Sequence, residues 1–225
     1  RVQPRISTAG RVETVPRKSH DVSPGKRAQA PVREADPAAP GGETGNSARP
    51  LKSLARVSPK QLAALVSTHL KKYGIDVTLV GGACVSIYSN QAYVSYDLDM
   101  ASDADLRMIR PAMKELGFEQ KSGRHFEHPD CRFFVEFVSP PIAVGADPIR
   151  HYAKIKTSLG YVRLLTPTDC VRDRLAAYYH WNDRPSLRQA ILVAKRHRIN
   201  WKIVRDWSRR EGHADKYDIF RKKLA

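Results

Sequence analysis

The chain has 225 residues, a length that allows one or two domains with a sizeable core. Its formal net charge of +16 favours an acidic partner, nucleic acid or a polyphosphate, over a membrane. The three cysteines are odd in number and widely spaced, which argues against a disulfide framework and indicates a reducing compartment. No run approaches the roughly 18 apolar residues that cross a bilayer, so we expect a cytoplasmic protein without membrane contact.

Residues 1–55 are predicted to form a disordered basic tail. They are rich in Arg, Pro, Ala, Gly, Ser and Thr, contain no aromatic residue and show no periodic apolar pattern. Such a segment cannot bury enough surface to offset the entropy of ordering. Residues 1–50 hold nine Lys and Arg against five Asp and Glu, so +12 of the net charge belongs to the rest of the chain.

Residues 56–165 are predicted to form an α/β core, a mixed sheet flanked by helices. The first helix begins at the cap residue Ser58, which precedes a proline, and ends at Gly74. The period of the apolar residues then predicts the later elements. They are strands at 75–80 and 93–100, helices at 83–90 and 103–116, the second of these capped by Ser102, a hairpin centred on 122–123, and strands at 131–138 and 161–165.

The region after residue 165 is predicted to be entirely helical. Thr166 and Pro167 open its first helix, and Asp169 stands in the capping-box position three residues after Thr166. Helices are expected to about residue 181 and then at 185–197, 201–210 and 214–224. The predicted organisation is therefore a tail at 1–55, a core at 56–165 and a helical C-terminal region at 166–225.

The most informative stretch pairs a glycine turn with two carboxylates. Gly81 and Gly82 follow an apolar run, and Asp97 and Asp99 lie on the next predicted strand. Residues two apart in a strand point to the same face, so both carboxylates converge there. Two such groups repel one another unless a cation lies between them, and Mg²⁺ is the hard cation usual for carboxylate oxygens.

Glu136 is a candidate third member of this site. It lies in the middle of the most strand-like run of the chain, at 131–138, where a carboxylate without a partner is costly. Two explanations fit: an ion pair with Arg or Lys, or an acidic ligand that joins Asp97 and Asp99. The preceding Asp-x-Asp pair favours the second explanation.

These residues together resemble the signature of the polymerase-beta-like nucleotidyltransferase superfamily. The resemblance covers roughly residues 58–212, and the C-terminal half is similar to the helical region of its small bacterial AbiEii-type members. It implies that Gly81 and Gly82 contact a nucleoside triphosphate and that Asp97, Asp99 and Glu136 are catalytic and hold two Mg²⁺ ions. Glu136 would bind metal or activate the attacking hydroxyl.

The implied reaction is Mg²⁺-dependent transfer of a nucleoside monophosphate from an NTP such as ATP to a hydroxyl on RNA or protein. One metal ion lowers the pKa of the attacking hydroxyl while the other stabilises the pyrophosphate leaving group. The helix that follows the glycines adds its N-terminal partial positive charge to the phosphate site. The same resemblance suggests a bacterial toxin of a toxin–antitoxin pair, with a cognate antitoxin as a partner.

Two positions near the carboxylates depart from the superfamily pattern. Ser95 stands where many members have Thr and keeps the hydroxyl, so it is assigned to nucleotide binding. Tyr93 stands where many members have Arg and therefore lacks the guanidinium. Gly82 also stands where several relatives have Ser.

Further candidates follow the acidic strands. Arg174 replaces the usual Lys of AbiEii-type proteins and is assigned to phosphate contact. Asp183 is assigned a supporting role, with the cap of the following helix as its alternative. Lys154 and Lys156 lie in a predicted connection, where they would bind the triphosphate or the acceptor, or would simply be solvated.

Two other classes of function also fit the sequence. A catalytically silent nucleotide- or RNA-binding module would keep the fold but have lost activity, as Tyr93 and Gly82 suggest. An interaction protein would use its basic helical half against RNA, with the acidic strands merely ion-paired. In that second case RNA affinity should survive removal of Mg²⁺ and should fall steeply with salt.

Overall fold

A computed structural model of the protein describes residues 53–224. The predicted tail at 1–55 lies outside the described residues, apart from its last three positions. Of these three, Leu54 is buried in the hydrophobic core.

Seven helices and nine strands make up the described part of the chain. The helices are α1 Pro59–Lys71, α2 Gly81–Tyr88, α3 Leu106–Glu115, α4 Pro167–Trp181, α5 Arg184–Arg196, α6 Trp201–Arg210 and α7 Ala214–Leu224. The strands are β1 Thr78–Leu79, β2 Asp97–Ala101, β3 Glu119–Ser122, β4 His125–Glu127, β5 Phe134–Val138, β6 Ala143–Val144, β7 Asp147–Pro148, β8 Tyr152–Thr157 and β9 Gly160–Leu165.

Seven of the strands form one mixed sheet. Its order is β3-β4-β5-β2-β1-β9-β8. β2 and β5 pair in parallel, as do β1 and β9, and the other neighbours are antiparallel. The predicted fold class, a mixed α/β sheet flanked by helices with a helical C-terminal region, is confirmed.

The two faces of this sheet differ in chemistry because side chains alternate along each strand. One face is apolar and is buried on the central strands, as Leu98 on β2, Val135 on β5 and Leu164 on β9 show. The pairing register places polar side chains together on the other face, which we call the polar face. Its members include Asp97 and Asp99 on β2, Glu136 on β5, Thr78 on β1, Arg163 on β9 and Lys154 on β8.

Helix boundaries follow the local capping chemistry. Ser58 and Gln61 form a full capping box at the start of α1, as the sequence predicts for Ser58. Thr166 likewise caps α4 by accepting a hydrogen bond from the Asp169 amide. The predicted bounds of α6 and α7 are confirmed.

Several local predictions are wrong. Three strands begin later than expected, β1 at Thr78 instead of residue 75, β2 at Asp97 instead of residue 93 and β5 at Phe134 instead of residue 131, and β1 has only two residues. α2 begins two residues earlier than expected, at Gly81.

α3 begins three residues later than expected, because Asp105 is its N-cap and Ser102 instead donates a hydrogen bond to the Asp76 carbonyl. The connection predicted around Lys154 and Lys156 is strand β8, which pairs along its whole length with β9.

The connection from β5 to β8 carries the short β6–β7 ribbon and joins the core to the C-terminal helices. Trp207 on α6 donates its indole hydrogen to the Val144 carbonyl on β6, at 3.3 Å. Arg172 on α4 donates to the Asp147 carboxylate on β7, at 2.7 Å. No helix in residues 53–224 is long and apolar enough to span a membrane.

Candidate metal and nucleotide site

Three carboxylates converge on the polar face. The parallel pairing of β2 with β5 sets Asp99 directly opposite Glu136, while Asp97 precedes Asp99 by two residues. One oxygen from each of the three side chains lies within 4.8 Å of the other two. Among residues 53–224 no other group of three or more His, Cys, Asp or Glu side chains converges in this way.

The carboxylates of this cluster are not held in ion pairs by the described part of the chain. None of the salt bridges within the described residues involves Asp97, Asp99 or Glu136. The Oδ1 atom of Asp97 is buried and has no hydrogen-bond partner there. The ion-pair explanation for Glu136 therefore lacks a partner in this part of the chain.

Burial and mutual repulsion shift the titration of the two aspartates. Burial, followed by the Glu136 charge, raises the pKa of Asp97 to about 6. Burial, followed by the Asp97 charge, raises the pKa of Asp99 to about 7. A divalent cation such as Mg²⁺ would relieve the repulsion between these carboxylates and would give the buried Asp97 oxygen a partner. Carboxylate oxygens are also the hard donors that such a cation prefers.

The glycine turn lies directly against this cluster. Gly81 has φ of +66°, and a Cβ atom at this position would overlap the Asp99 Oδ2 atom. Only glycine satisfies both the left-handed backbone and the close approach. The turn thereby brings the start of α2 to the carboxylates.

The start of α2 offers backbone donors. Its N-cap residue, Val80, makes no side-chain hydrogen bond to the helix. The first N–H groups of a helix have no partner within the helix, and together with the helix dipole they favour an anion. A phosphate group is therefore suited to the space between α2 and a metal held by the carboxylates.

Ser95 and Tyr93 lie beside the second glycine. A Cβ atom at Gly82 would be 3.0 Å from the Ser95 Oγ atom and 3.6 Å from the Tyr93 hydroxyl. The backbone amide of Ser95 donates to the Ser86 Oγ atom on α2, at 2.7 Å, which holds the serine there. The structure thus brings Ser95 to the glycine turn, next to Gly82, the position where several superfamily members have Ser.

Arg174 approaches from α4 and is engaged by its own neighbours. Its positive charge opposes the rise in the pKa of Asp99 that burial and Asp97 produce. Its Nε and Nη2 atoms donate to the Asp173 carboxylate at 2.9 and 2.5 Å, and its Nη1 atom donates to Gln189 at 3.4 Å. Arg174 was predicted from the sequence, whereas its partners Asp173 and Gln189 were not.

The remaining predicted residues are not brought to the carboxylates. Lys154 and Lys156 lie on the edge strand β8, three strands from β2. Asp183 is the N-cap residue of α5, where its carboxylate accepts a hydrogen bond from the Ser186 Oγ atom at 2.6 Å. That position agrees with the cap alternative, although the bond is to a side chain rather than to the helix backbone.

His125 lies beside the site, although it was not among the site residues predicted from the sequence. It lies on β4 directly opposite Glu136. Its ring packs against Phe134 with centroids 4.5 Å apart, and its Nε2 atom lies 2.8 Å from a Glu127 oxygen. The hairpin at 122–123 was predicted, but the register that brings β4 to β5 depends on pairing the sequence does not show.

No protein-family model matches the chain, and no curated protein matches its sequence. Among solved structures, the chain is similar to an antigenic nucleotidyltransferase-like protein from Paracoccidioides brasiliensis, with 18% identity, 63% of this chain and 77% of that chain covered, and a TM-score of 0.48. It is also similar to the antibiotic-resistance factor ANT(2'')-Ia in solution, with 15% identity, 68% and 92% covered, and a TM-score of 0.40. The crystal structure of ANT(2'')-Ia with adenylyl-2''-tobramycin shows 14% identity, 71% and 95% covered, and a TM-score of 0.39.

Proposed function

We propose that this protein is a Mg²⁺-dependent nucleotidyltransferase that moves a nucleoside monophosphate from an NTP to a hydroxyl on RNA or protein. One observation carries the proposal: Asp97, Asp99 and Glu136 converge, and none of them forms a salt bridge within the described chain. The uncapped start of α2 lies against the same cluster.

Each group has a role set by its position. The three carboxylates would hold Mg²⁺, in one or two ions, and the bound metal would lower the pKa of the acceptor hydroxyl and neutralise the leaving pyrophosphate. The free N–H groups at the start of α2 bind the triphosphate, which Gly81 and Gly82 allow to approach closely. The Ser95 hydroxyl donates a hydrogen bond to the same phosphates.

Arg174 and Asp183 act around this centre. Arg174, oriented by Asp173 and Gln189, places a fixed positive charge beside Asp99. Asp183 fixes the start of α5, the helix that carries Gln189. The AbiEii-type resemblance adds a bacterial toxin role with a cognate antitoxin, and ATP as the nucleotide, to this proposal.

The test pairs a site variant with a charge-matched control. Asp97→Asn with Asp99→Asn should weaken Mg²⁺ binding and Mg²⁺-dependent NTP binding at least tenfold by calorimetry, because two of three anionic ligands are lost. Label from the preferred NTP should no longer enter RNA or protein. Asp103→Asn with Asp130→Asn removes the same charge at exposed positions and should change neither readout. Unchanged metal and nucleotide binding in the site variant would show the proposal to be wrong.

Two observations favour a catalytically silent nucleotide-binding module as a second candidate. Tyr93 stands where many superfamily members have an arginine and places a hydroxyl group near Gly82. Arg174 is already paired with Asp173. The site therefore holds little free positive charge for a leaving pyrophosphate. Tight NTP binding without label transfer to any cell component would support this candidate.

A further inference from the structure

A basic pocket lies at the β8 edge of the sheet, away from the carboxylates. It is a cavity of about 470 Å³ between the last turns of α1, the residues before β1, and strands β8 and β9. The charged side chains that line it are those of Lys71, Asp76, Arg150, Lys154 and Arg163, and His151 lies beside them. We call this cavity the basic pocket.

The pocket has an excess of positive charge. Four Lys and Arg side chains face one carboxylate, that of Asp76, and this carboxylate is engaged by Lys71 at 2.8 Å. Within residues 53–224, Arg150 and Lys154 form no salt bridge. Cations that the protein leaves without anions suit an anionic ligand.

Aromatic rings alternate with these cations. The Lys154 Nζ atom lies 3.9 Å from the centre of the Tyr161 ring, and the Arg163 guanidinium lies 5.0 Å from the centre of the Tyr152 ring. Both tyrosines line the pocket. Grooves that bind single-stranded nucleic acid combine cations for the phosphates with aromatic rings on which bases stack.

A buried hydroxyl in the wall of the pocket lacks a partner. Ser67 on α1 is only 5% exposed and lines the cavity, yet its Oγ atom makes no hydrogen bond within the described chain. A buried hydroxyl without a partner is costly unless a ligand or water satisfies it. This observation is independent of the charges and also indicates a polar ligand.

We propose that the basic pocket binds the phosphate backbone of a single-stranded polynucleotide, which serves as the acceptor of the proposed transfer reaction. Its role as acceptor rests on the proposed function, whereas the binding itself does not. Lys154 lies three strand spacings from the strand that carries Asp99, which corresponds to about 14 Å across the sheet. A few nucleotides span that distance, so a strand held in the pocket can present a terminal hydroxyl to the carboxylates.

Binding of labelled oligonucleotides tests the pocket. We would measure fluorescence anisotropy of a uridylate and a thymidylate oligomer, each of about 12 nucleotides, over a range of salt concentrations. Arg150→Gln with Lys154→Gln should weaken binding about tenfold and reduce the slope of log affinity against log salt by about 1.4, since each phosphate contact on a single strand contributes about 0.7. Binding of either oligomer that weakens in this variant supports the site, and the ratio of the two affinities identifies RNA or DNA as the natural ligand.

A control pair carries the same change of charge elsewhere. Lys222→Gln with Lys223→Gln alters two exposed lysines on α7 and should change affinity less than twofold. Because Lys154 lies on a strand, Arg150→Gln alone, in the loop before β8, gives a second variant whose affinity should fall by about half as much on a logarithmic scale. Equal losses in the pocket and control pairs, or no binding of either oligomer by the unaltered protein, would overturn the proposal.

The two proposals fail in different ways. Oligomer binding should persist in Asp97→Asn with Asp99→Asn and after Mg²⁺ is chelated, because the pocket contains neither carboxylate. If no label is ever transferred but the pocket variants lose oligomer affinity, the proposed function fails and the binding site stands. If RNA is labelled and the pocket variants keep full oligomer affinity, the function stands and the pocket proposal fails.

Discussion

Asp97 and Asp99 make the stability of the protein depend on pH. Their pKa values of about 6 and about 7 lie above the value of about 4 in an unfolded chain, because burial and mutual repulsion disfavour the charged forms. Between about pH 4 and pH 7 the native state therefore binds more protons than the unfolded state, and the free energy of unfolding falls as pH rises. We expect the metal-free protein to lose on the order of a few kcal/mol between about pH 5 and pH 8 in urea unfolding.

Two comparisons connect this slope to the carboxylates. Asp99→Asn removes one of the two carboxyl groups with a raised pKa, so the free energy of unfolding should fall less as pH rises. Histidines and surface carboxylates contribute equally in both proteins. Mg²⁺ added near pH 8 should restore stability to the unaltered protein and much less to the variant. A decline of the same size in Asp99→Asn would place its origin in other groups.

Gly81 provides a second test at single-residue scale. Gly81→Ala adds a methyl group that meets Asp99 Oδ2 on a backbone with φ of +66°. Gly74→Ala is the matched control, because Gly74 has φ of +72° and open space where a Cβ would lie. The control should cost about 1 kcal/mol in urea unfolding from backbone strain alone.

The Gly81 variant should cost more than the control and should also displace the Asp99 carboxylate. We therefore expect at least a tenfold loss of Mg²⁺ affinity by calorimetry in Gly81→Ala and none in Gly74→Ala. Equal effects of the two substitutions on stability and on metal affinity would mean that contact with Asp99 is unimportant.

The residues of the site differ in how far the sequence could predict them. Asp97 and Asp99 were predictable because side chains alternate along a strand, so the spacing alone fixes a shared face. The bond between Arg174 and Asp173 was not, since adjacent residues on a helix do not normally face each other. Gln189 reaches Arg174 from a different helix, and helix packing is not readable from local pattern.

At the scale of elements, local sequence predicted the starts of α1 and α4 correctly but not the start of α3 or the edge strand β8. The caps at Ser58 and Thr166 combine a hydroxyl with proline and a polar third residue, so these helix starts were clear. At α3 three polar residues compete for the cap, and Ser102 is instead held by the Asp76 carbonyl. The sequence does not contain that long-range contact.

Strand β8 was missed although its pattern was present. Its residues alternate, with Lys154 and Lys156 on the polar face and Ala153 and Ile155 on the other. Exposed lysines on an edge strand are common because they discourage pairing with other chains. Two lysines in sequence therefore do not distinguish an edge strand from a loop, and only the partner strand β9 decides.

At the scale of the whole molecule, the connection from β5 to β8 ties the core to the C-terminal helices. Arg172 is nearly fully buried and donates to both Asp147 and Asp169, while its guanidinium lies 5.2 Å from the centre of the Trp207 ring. Asp147 also accepts a hydrogen bond from Arg210 on α6, at 2.6 Å. Sequence separations of 25 and 63 residues put these pairs beyond local prediction.

Asp147→Asn should therefore destabilise the whole protein. It removes one of the two anions that compensate a buried guanidinium, and we expect a loss of about 2 kcal/mol in urea unfolding. Asp206→Asn is the matched control, since Asp206 also pairs with two basic residues and its side chain is 32% exposed against 34% for Asp147. Its partners Lys202 and Arg205 are themselves exposed, so its loss should be below about 1 kcal/mol. Equal losses in the two variants would show that the burial of Arg172 does not make its pair with Asp147 important for stability.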